Sequence, residues 1–477
     1  MLLTSFLGDA VALRFYNTLT RTLEEFKPIH PGEARVYCCG PTVYNYIHIG
    51  NLRAFLFDDL VHRYLKYRGY KVTFVMNITD VDDKTIRDSR KEGKTLKEFT
   101  EFYSQAFLDD LRTLRVLPAN IMPKATEEID GMVKMIQTLI ERGFAYKNER
   151  GDIYFKINAF PEYGALARID RSKQKQNASG RLARADEYEK ENASDFALWK
   201  AYDPEDGDVF WETEIGKGRP GWHIECSVMS SKYLGQPFDI HGGGIDLVFP
   251  HHTNEIAQSE CACGTKLANV WLHNEHLIVN GKKMSKSLGN WYTLRDLLKK
   301  GYDPMAVRYE LLKTHYRSQL DFREDSLTNN AISIRKFSDL LARLKDAGNG
   351  PGSAELQSAA HTAREGFVSA MDDDLNISGA LAALHEFVNR ANALLEKLNA
   401  QDVAEVRALI GEFDSVLGFI HQEQEELSAD LQALLEARET ARKNKDFKKS
   451  DELRDELLKH GIAVKDSAKG TRWERLR

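Results

Sequence analysis

Two cysteines, Cys38 and Cys39, stand together in the stretch YCCGPTVYNYIHIGN, residues 37–51, which ends in a His-Ile-Gly turn stopping on Asn51. A thiol such as Cys39 can be a buried small residue, a redox group or a metal ligand, and its immediate neighbours leave all three open. His48, Gly50 and Asn51 fall where a helix begins after a strand. Free backbone N–H groups and the helix dipole favour an anion such as phosphate there, and a glycine lets it approach the backbone. A plain capped helix start would use the same residues. Much later, KKMSKSLGN at 282–290 offers Lys282, Lys283 and Lys286 with the hydroxyls of Ser285 and Ser287. Such a loop can close over a polyphosphate and neutralise charge as pyrophosphate leaves, although most lysine-rich turns are simply solvated.

Three further stretches carry chemistry-bearing side chains. In PHHTNEIAQ, Pro250 suits the first position of a helix, so His251 and Glu255 project from one face. Alone, that pair reads as a surface hydrogen bond. Cys226 in WHIECS reads alone as an inert buried thiol, and HGGGID at 241–246 as a glycine-rich turn after a strand.

The elements that must position these residues follow from periodicity. ARVYCCG has strand composition, Leu52, Leu56, Leu60 and Tyr64 recur at helical spacing before Gly69, and KVTFVMNITD supplies a second buried strand. The unit is a βαβ with its ligand turn at the carboxyl end of the first strand. Helical patterns fill about 95–145, short strands appear around GDIYFKI, and the polar stretch 171–194 reads as a long loop or lid. A second α/β half follows, with strands FDIHGG and NVWLH around a helix opening at Pro250. KDAGNGPGSAEL, residues 345–356, reads as a linker between two long helical regions. Beyond it the chain is helical to about 460, and KDSAKGTRWERLR closes it with a basic tail.

At 477 residues the chain is too long for one hydrophobic core. With a net charge of −6, any nucleic acid must be met by local patches rather than a uniformly basic surface. Five cysteines and an opening without a basic leader do not suggest a disulfide framework, and no apolar run reaches membrane-spanning length. A cytoplasmic protein with reduced thiols and no membrane partner is expected.

HIGN and KMSKS together, in this order and far apart, resemble the paired signatures of class I aminoacyl-tRNA synthetases. The stretches FYNTLTR, YCCGPTVYNYIHIGN, NITDVDDK, DFALWK, GRPGWHIECS, FDIHGGGIDLVFPHHTNEIAQ, KMSKSLGN, VRYELLKTHYRSQLDF, MDDDLNISGAL and the terminal GTRW narrow the resemblance to the cysteinyl-tRNA synthetase family. It covers nearly the whole chain. It implies an α/β fold: a Rossmann-type parallel-sheet catalytic domain with an inserted subdomain, then a helical bundle and a small anticodon-binding tail. The implied boundaries are 14–118 and 195–300 for the two catalytic halves, 119–194 for the insertion, 301–345 for a stem-contact region, 354–424 for the tRNA-binding bundle and 425–477 for the anticodon region.

The resemblance also joins residues that spacing could not. It implies one zinc ion per chain on Cys39, Cys226, His251 and Glu255, and leaves Cys38, Cys261 and Cys263 without a role. It implies His48, Asn51, Lys283 and Lys286 as catalytic groups, Gly40, Thr42, Thr79 and Trp222 around the amino acid, and Gly50, His241, Gly243, Asp246, Ser285 and Ser287 around ATP with magnesium. L-cysteine, ATP and tRNA(Cys) are the implied partners of a monomer. Asn51 is a departure, since the family signature more often ends on histidine, and ETEIG at 212–216 stands where relatives often have Pro-Trp-Gly. Two other readings stay open: a cysteine ligase acting on a small amino sugar, which would lack the full region past the linker, and a non-catalytic zinc-containing RNA-binding relative. Trp473 either stacks on an unpaired base or packs on the bundle.

Overall fold

The computed structural model describes residues 12–169, 195–420, 429–444, 446–460, 462–467 and 470–475. Four parallel strands form its central sheet in the order Ala268–Asn274, Phe238–Gly244, Glu33–Cys38, Lys71–Met76. The helix Ile49–Tyr67 makes the crossover between the last two, and its Leu52, Leu56, Leu60 and Tyr64 are all buried. The spacing of four that marks the helix in the sequence is therefore its core-facing stripe. Gly69, at φ +84°, turns the chain back into the next strand, a backbone conformation that favours glycine.

Helices Leu96–Thr113 and Ile129–Glu141 lead into a five-stranded antiparallel sheet, ordered Ala145–Lys147, Ile153–Phe155, Phe196–Ala201, Gly216–Pro220, Trp211–Thr213. Ile153 lies opposite Trp199, so the strand following the polar stretch pairs directly with the strand preceding it. The inserted sheet thus continues to Pro220, past the boundary expected at 194. Sequence patterning could not show that residues 196–220 pair backwards rather than forwards. The lid expected over 171–194 lies outside the described residues.

After the sheet's last strand come a small three-stranded sheet, Leu277–Val279 with Lys282–Lys283 and Leu320–Phe322, and helices Pro304–Leu312 and Ser326–Arg343. The bundle follows as Ala354–Asp372, Ile377–Leu394 and Ala400–Leu417. One apolar core runs from Phe15, Val36 and Leu56 of the catalytic half into Phe367, Leu384 and Phe413 of the bundle. The segment expected to be a linker is docked: Gly350 N–H donates to Leu398 O, Gly352 N–H to Lys397 O and Ser353 N–H to Asp402 Oδ2, each at 2.9 Å. A Cβ on Gly350 would sit 2.3 Å from the Lys397 carbonyl carbon, so that glycine serves close backbone approach rather than flexibility.

Past the bundle, the stretch expected to be helical holds two helices, Ala429–Lys443 and Phe447–Lys459. The basic tail is a two-stranded hairpin, Ile462–Ser467 with Gly470–Arg475, a strand pairing its charged sequence gives no sign of. Val464 faces Trp473 across it, and Trp473 packs half-buried on a small cluster of Leu435, Leu457, Ile462 and Val464. Among the described residues no helix is long and apolar enough to cross a membrane.

Candidate active site and metal centre

Cys39 leaves the end of the Glu33–Cys38 strand, Cys226 lies within the helix Trp222–Leu234, and His251 and Glu255 open the helix His251–Cys263. All four are buried, and one donor atom of each lies within 4.8 Å of every other. The two Sγ atoms are 3.8 Å apart, Cys39 Sγ is 3.7 Å from Glu255 Oε1, and His251 Nε2 is 3.0 Å from that same oxygen. A tetrahedral ion bonded to sulfur at about 2.3 Å would space two thiolates by about 3.8 Å. Two sulfurs, an imidazole and a carboxylate form a donor set suited to zinc, and their spacing fits the ion.

The four groups act strongly on one another's protonation. Burial pushes the Cys226 thiol up, but its hydrogen bond with Cys39 and the neighbouring His251 outweigh this and bring it to about 6. Burial likewise opposes charge on Glu255, yet His241 and His251 hold its carboxyl at about 2. His251 is raised to about 10, the anions of Glu255 and Cys226 overcoming its desolvation. Burial, then the neighbouring Cys226 and Glu255, pushes the Cys39 thiol well up, so the cluster sets the anions of Cys226 and Glu255 against the His251 cation.

Two histidines from outside this set share its space. His241 Nε2 lies 2.9 Å from Glu255 Oε2, and His252 Nε2 lies 3.3 Å from Cys39 Sγ, so that Cys39, His241, His252 and Glu255 also gather within 4.8 Å. His252 Nδ1 pairs with His273 Nε2 at 2.8 Å, and His273 Nδ1 with Thr18 Oγ1 at 2.8 Å. His241 is fully buried against Glu255, so the structure places its side chain on the metal side of the HGGGID turn that the resemblance assigned to nucleotide. The His-His pair at 251–252 was the signal available in the sequence, where only its first member was used.

Around the centre, the glycines reflect crowding. A Cβ on Gly40 would lie 1.7 Å from Asn77 O, and one on Gly243 would lie 3.0 Å from the His252 ring. Gly40 N–H donates to Asn77 Oδ1 at 2.9 Å, Asn77 Nδ2 donates to Thr79 Oγ1 at 3.1 Å, and Thr79 Oγ1 donates to Glu225 Oε2 at 3.0 Å. Asn77 and Glu225 are two site residues that sequence reasoning missed, although both lie in quoted stretches. Burial, then the neighbouring Cys226, pushes the Glu225 carboxyl well up, as expected of an acid with no cation beside it among the described residues. Thr42 bridges to Thr79, and Trp222 stacks on His251 with ring centroids 4.1 Å apart. Asp246 is exposed at the mouth of its turn.

HIGN and KMSKS do come together. His48 caps the Ile49–Tyr67 helix, with its Nδ1 accepting the Asn51 N–H. Its ring meets Trp291 edge-on at 4.3 Å, Ile49 N–H donates to Tyr292 O at 2.9 Å, and a Cβ on Gly50 would lie 3.3 Å from Met284 Cε. The KMSKS turn is pinned by Asn290, which accepts the Ser285 N–H at 2.8 Å and donates to Lys283 O at 3.2 Å. Ser285 and Ser287 hydroxyls are 3.2 Å apart and Lys283 is exposed, while the Lys286 side chain lies outside what is described. A phosphate site can thus form from a helix start and a facing basic turn.

Comparison with known proteins agrees. The model "tRNA synthetases class I (C) catalytic domain" matches residues 25–332, a DALR domain matches 366–421, and "Cysteinyl-tRNA ligase anticodon binding domain" matches 424–473. The chain is 46% identical over 470 residues to the cysteine–tRNA ligase of Brachyspira hyodysenteriae, covering 97% of this chain and 99% of that one. It is 45% identical to that of Protochlamydia amoebophila, covering 98% of each. Mycobacterium tuberculosis methionyl-tRNA synthetase bound by methionyl-adenylate shares the fold, with a TM-score of 0.59 at 14% identity over 81% of this chain and 90% of that one. With a catalytic model over most of its length and full-length relatives of this likeness, the chain belongs to the cysteine–tRNA ligase family of class I aminoacyl-tRNA synthetases.

Proposed function

We propose that the protein ligates L-cysteine to tRNA(Cys) in the cytoplasm, as a monomer, through a cysteinyl-adenylate. The observation that carries this reading is the convergence of Cys39, Cys226, His251 and Glu255 donor atoms within 4.8 Å, one residue along the helix from a Glu225 that accepts from Thr79. In the first step the cysteine carboxylate attacks the α-phosphate of ATP and pyrophosphate departs. His48 faces that phosphate through its Nε2 side, since Nδ1 is engaged as an acceptor, and Asn51 offers its amide N–H. Lys283 and Lys286, with Ser285 and Ser287, hold the β- and γ-phosphates of ATP, which arrives with magnesium. Gly50, Gly243 and Asp246 border the nucleotide, and Gly40, Thr42, Thr79 and Trp222 the amino acid. In the second step a ribose hydroxyl of the terminal adenosine takes the cysteinyl group.

Cysteine and serine differ by one atom, and shape alone rejects a near-isostere by about a hundredfold. A zinc ion on the four ligands would supply the missing discrimination, because it binds a thiolate and has little attraction for a neutral hydroxyl. The bundle and the anticodon region, with Trp473 and its arginines, supply the tRNA surface. One assay tests the reading: cysteine-dependent ATP–pyrophosphate exchange followed by charging of tRNA(Cys). Exchange with charging supports it. Exchange with transfer only to a small amine would redirect it to an amino-sugar ligase, and absence of exchange would leave a binding protein.

A further inference from the structure

Tyr46 stands just ahead of His48, and its ring meets Tyr103 at 5.5 Å and Phe102 at 6.2 Å, with interplanar angles of 78° and 68°. Phe102 and Tyr103 meet each other at 5.1 Å and 87°. Phe102 is 50% exposed, and the two tyrosines are half-buried. An exposed phenylalanine by itself is ordinary. This one belongs to three rings carrying two cations: Lys94 Nζ lies over Phe102, 5.4 Å from its centroid, and Arg295 Cζ over Tyr46 at 4.8 Å.

The cluster draws on both walls of the reaction site. Tyr46 leads into HIGN, and Phe102 and Tyr103 come from the helix Leu96–Thr113. Arg295 lies in the helix Leu294–Lys299, whose capping Thr293 bridges to His48. Arg295 also fixes the cluster in place, donating to Ala106 O at 3.1 Å and pairing with Asp110 at 3.2 Å. Lys94 pairs with Glu92 at 2.8 Å. With both cations answered by acids, the patch offers ring faces rather than net charge, which suits a stacked base better than a phosphate. A protein held here would obstruct the space beside His48 that the second step must open to a ribose hydroxyl, so the occupant is a strand that comes and goes with each turnover.

Resting on the reading of the protein as a tRNA ligase, we infer that Tyr46, Phe102 and Tyr103 form a platform on which unpaired bases at the 3′ end of tRNA stack. The platform steers the strand towards His48 and takes no part in making the adenylate.

The test compares wild type, Phe102→Ala and Phe102→Trp in cysteine-dependent pyrophosphate exchange, in charging of tRNA(Cys), and in binding transcripts that carry fluorescent pyrrolocytosine at each of the two unpaired nucleotides before the terminal adenosine. Phe102→Ala should lower kcat/KM for tRNA about tenfold while exchange stays within about twofold, and Phe102→Trp should restore charging to within about threefold. Wild type should quench the fluorescence of at least one transcript, and Phe102→Ala should lose that quenching. Normal charging by Phe102→Ala overturns the inference. So does loss of exchange and charging together, because the residue would then act through the fold, and so does reduced charging with unchanged quenching, which would point to a contact other than stacking. Binding is read without catalysis, so a wild type that neither exchanges nor charges but quenches through Phe102 would refute the ligase reading and leave the platform standing.

Discussion

His48 and Asn51 hold each other: His48 Nδ1 accepts the Asn51 N–H at 3.1 Å, and Asn51 Oδ1 accepts the His48 N–H at 3.4 Å. This reciprocal cap fixes the first turn of the helix that presents HIGN, and it explains what an uncharged asparagine does at a position more often histidine in the family. A histidine there can also accept through a ring nitrogen. Asn51→His should leave pyrophosphate exchange within about threefold, whereas Asn51→Ala should cost about 1 kcal/mol of stability and lower exchange further. A large gain in Asn51→His would show that a charge, not a cap, is what the position lacks.

The KMSKS turn is expected to act only through the polyphosphate. Lys286→Ala should reduce the exchange rate by about a hundredfold or more while leaving cysteine affinity, measured by titration, unchanged. Normal exchange would remove the loop from the mechanism.

Arg308 joins the catalytic half to the bundle. Fully buried, it pairs with Asp59 at 2.6 Å and donates to Leu417 O at 2.8 Å and Leu114 O at 2.9 Å. Arg308→Met takes three buried hydrogen bonds from this junction and leaves Asp59 with Arg63 Nε, at 2.8 Å, as its remaining cation, so it should destabilise by about 2–4 kcal/mol in urea unfolding. Arg308→Met with Asp59→Asn should recover part of that loss. If the double variant is as unstable as the sum of the two singles, the pair does not act as a unit.

Asp58 gives a pH dependence. It is 1% exposed, and no nitrogen or hydroxyl donor reaches either of its oxygens among the described residues. Burial raises its carboxyl from 3.8 to about 7, opposed by the hydrogen bond with the Cys38 thiol and aided by the neighbouring Asp59. A carboxyl raised on folding favours the folded state fully below its unfolded value, and that contribution is lost as pH climbs towards 7. Asp58→Asn should therefore gain little at pH 4 and up to about 4 kcal/mol at pH 8, seen as a Tm difference that widens with pH. A constant difference would mean the carboxylate finds a partner when ionised.

Much of the fold could be read from local pattern. The Leu52–Leu56–Leu60–Tyr64 stripe and the apolar strands on either side dictate the βαβ unit, because periodicity reports which face is buried. The candidate metal-ligand cluster was legible only through family resemblance, since Cys39, Cys226 and His251 come from three separate elements and no local spacing joins them. What escaped depends on contacts across the chain: the docking of Gly350 on Lys397, the pairing of Ile153 with Trp199, the histidines behind Glu255, and the Asn77–Thr79–Glu225 chain. Each is made by residues whose immediate neighbours give no reason to expect the other.

The measurement that bears most directly on the account is zinc content together with cysteine- and serine-dependent pyrophosphate exchange, in the wild type and in Cys226→Ser. The account predicts one zinc per chain and strong preference for cysteine in the wild type, with both metal retention and preference falling in the variant. A Cys226→Ser protein with unchanged zinc and unchanged preference would contradict it.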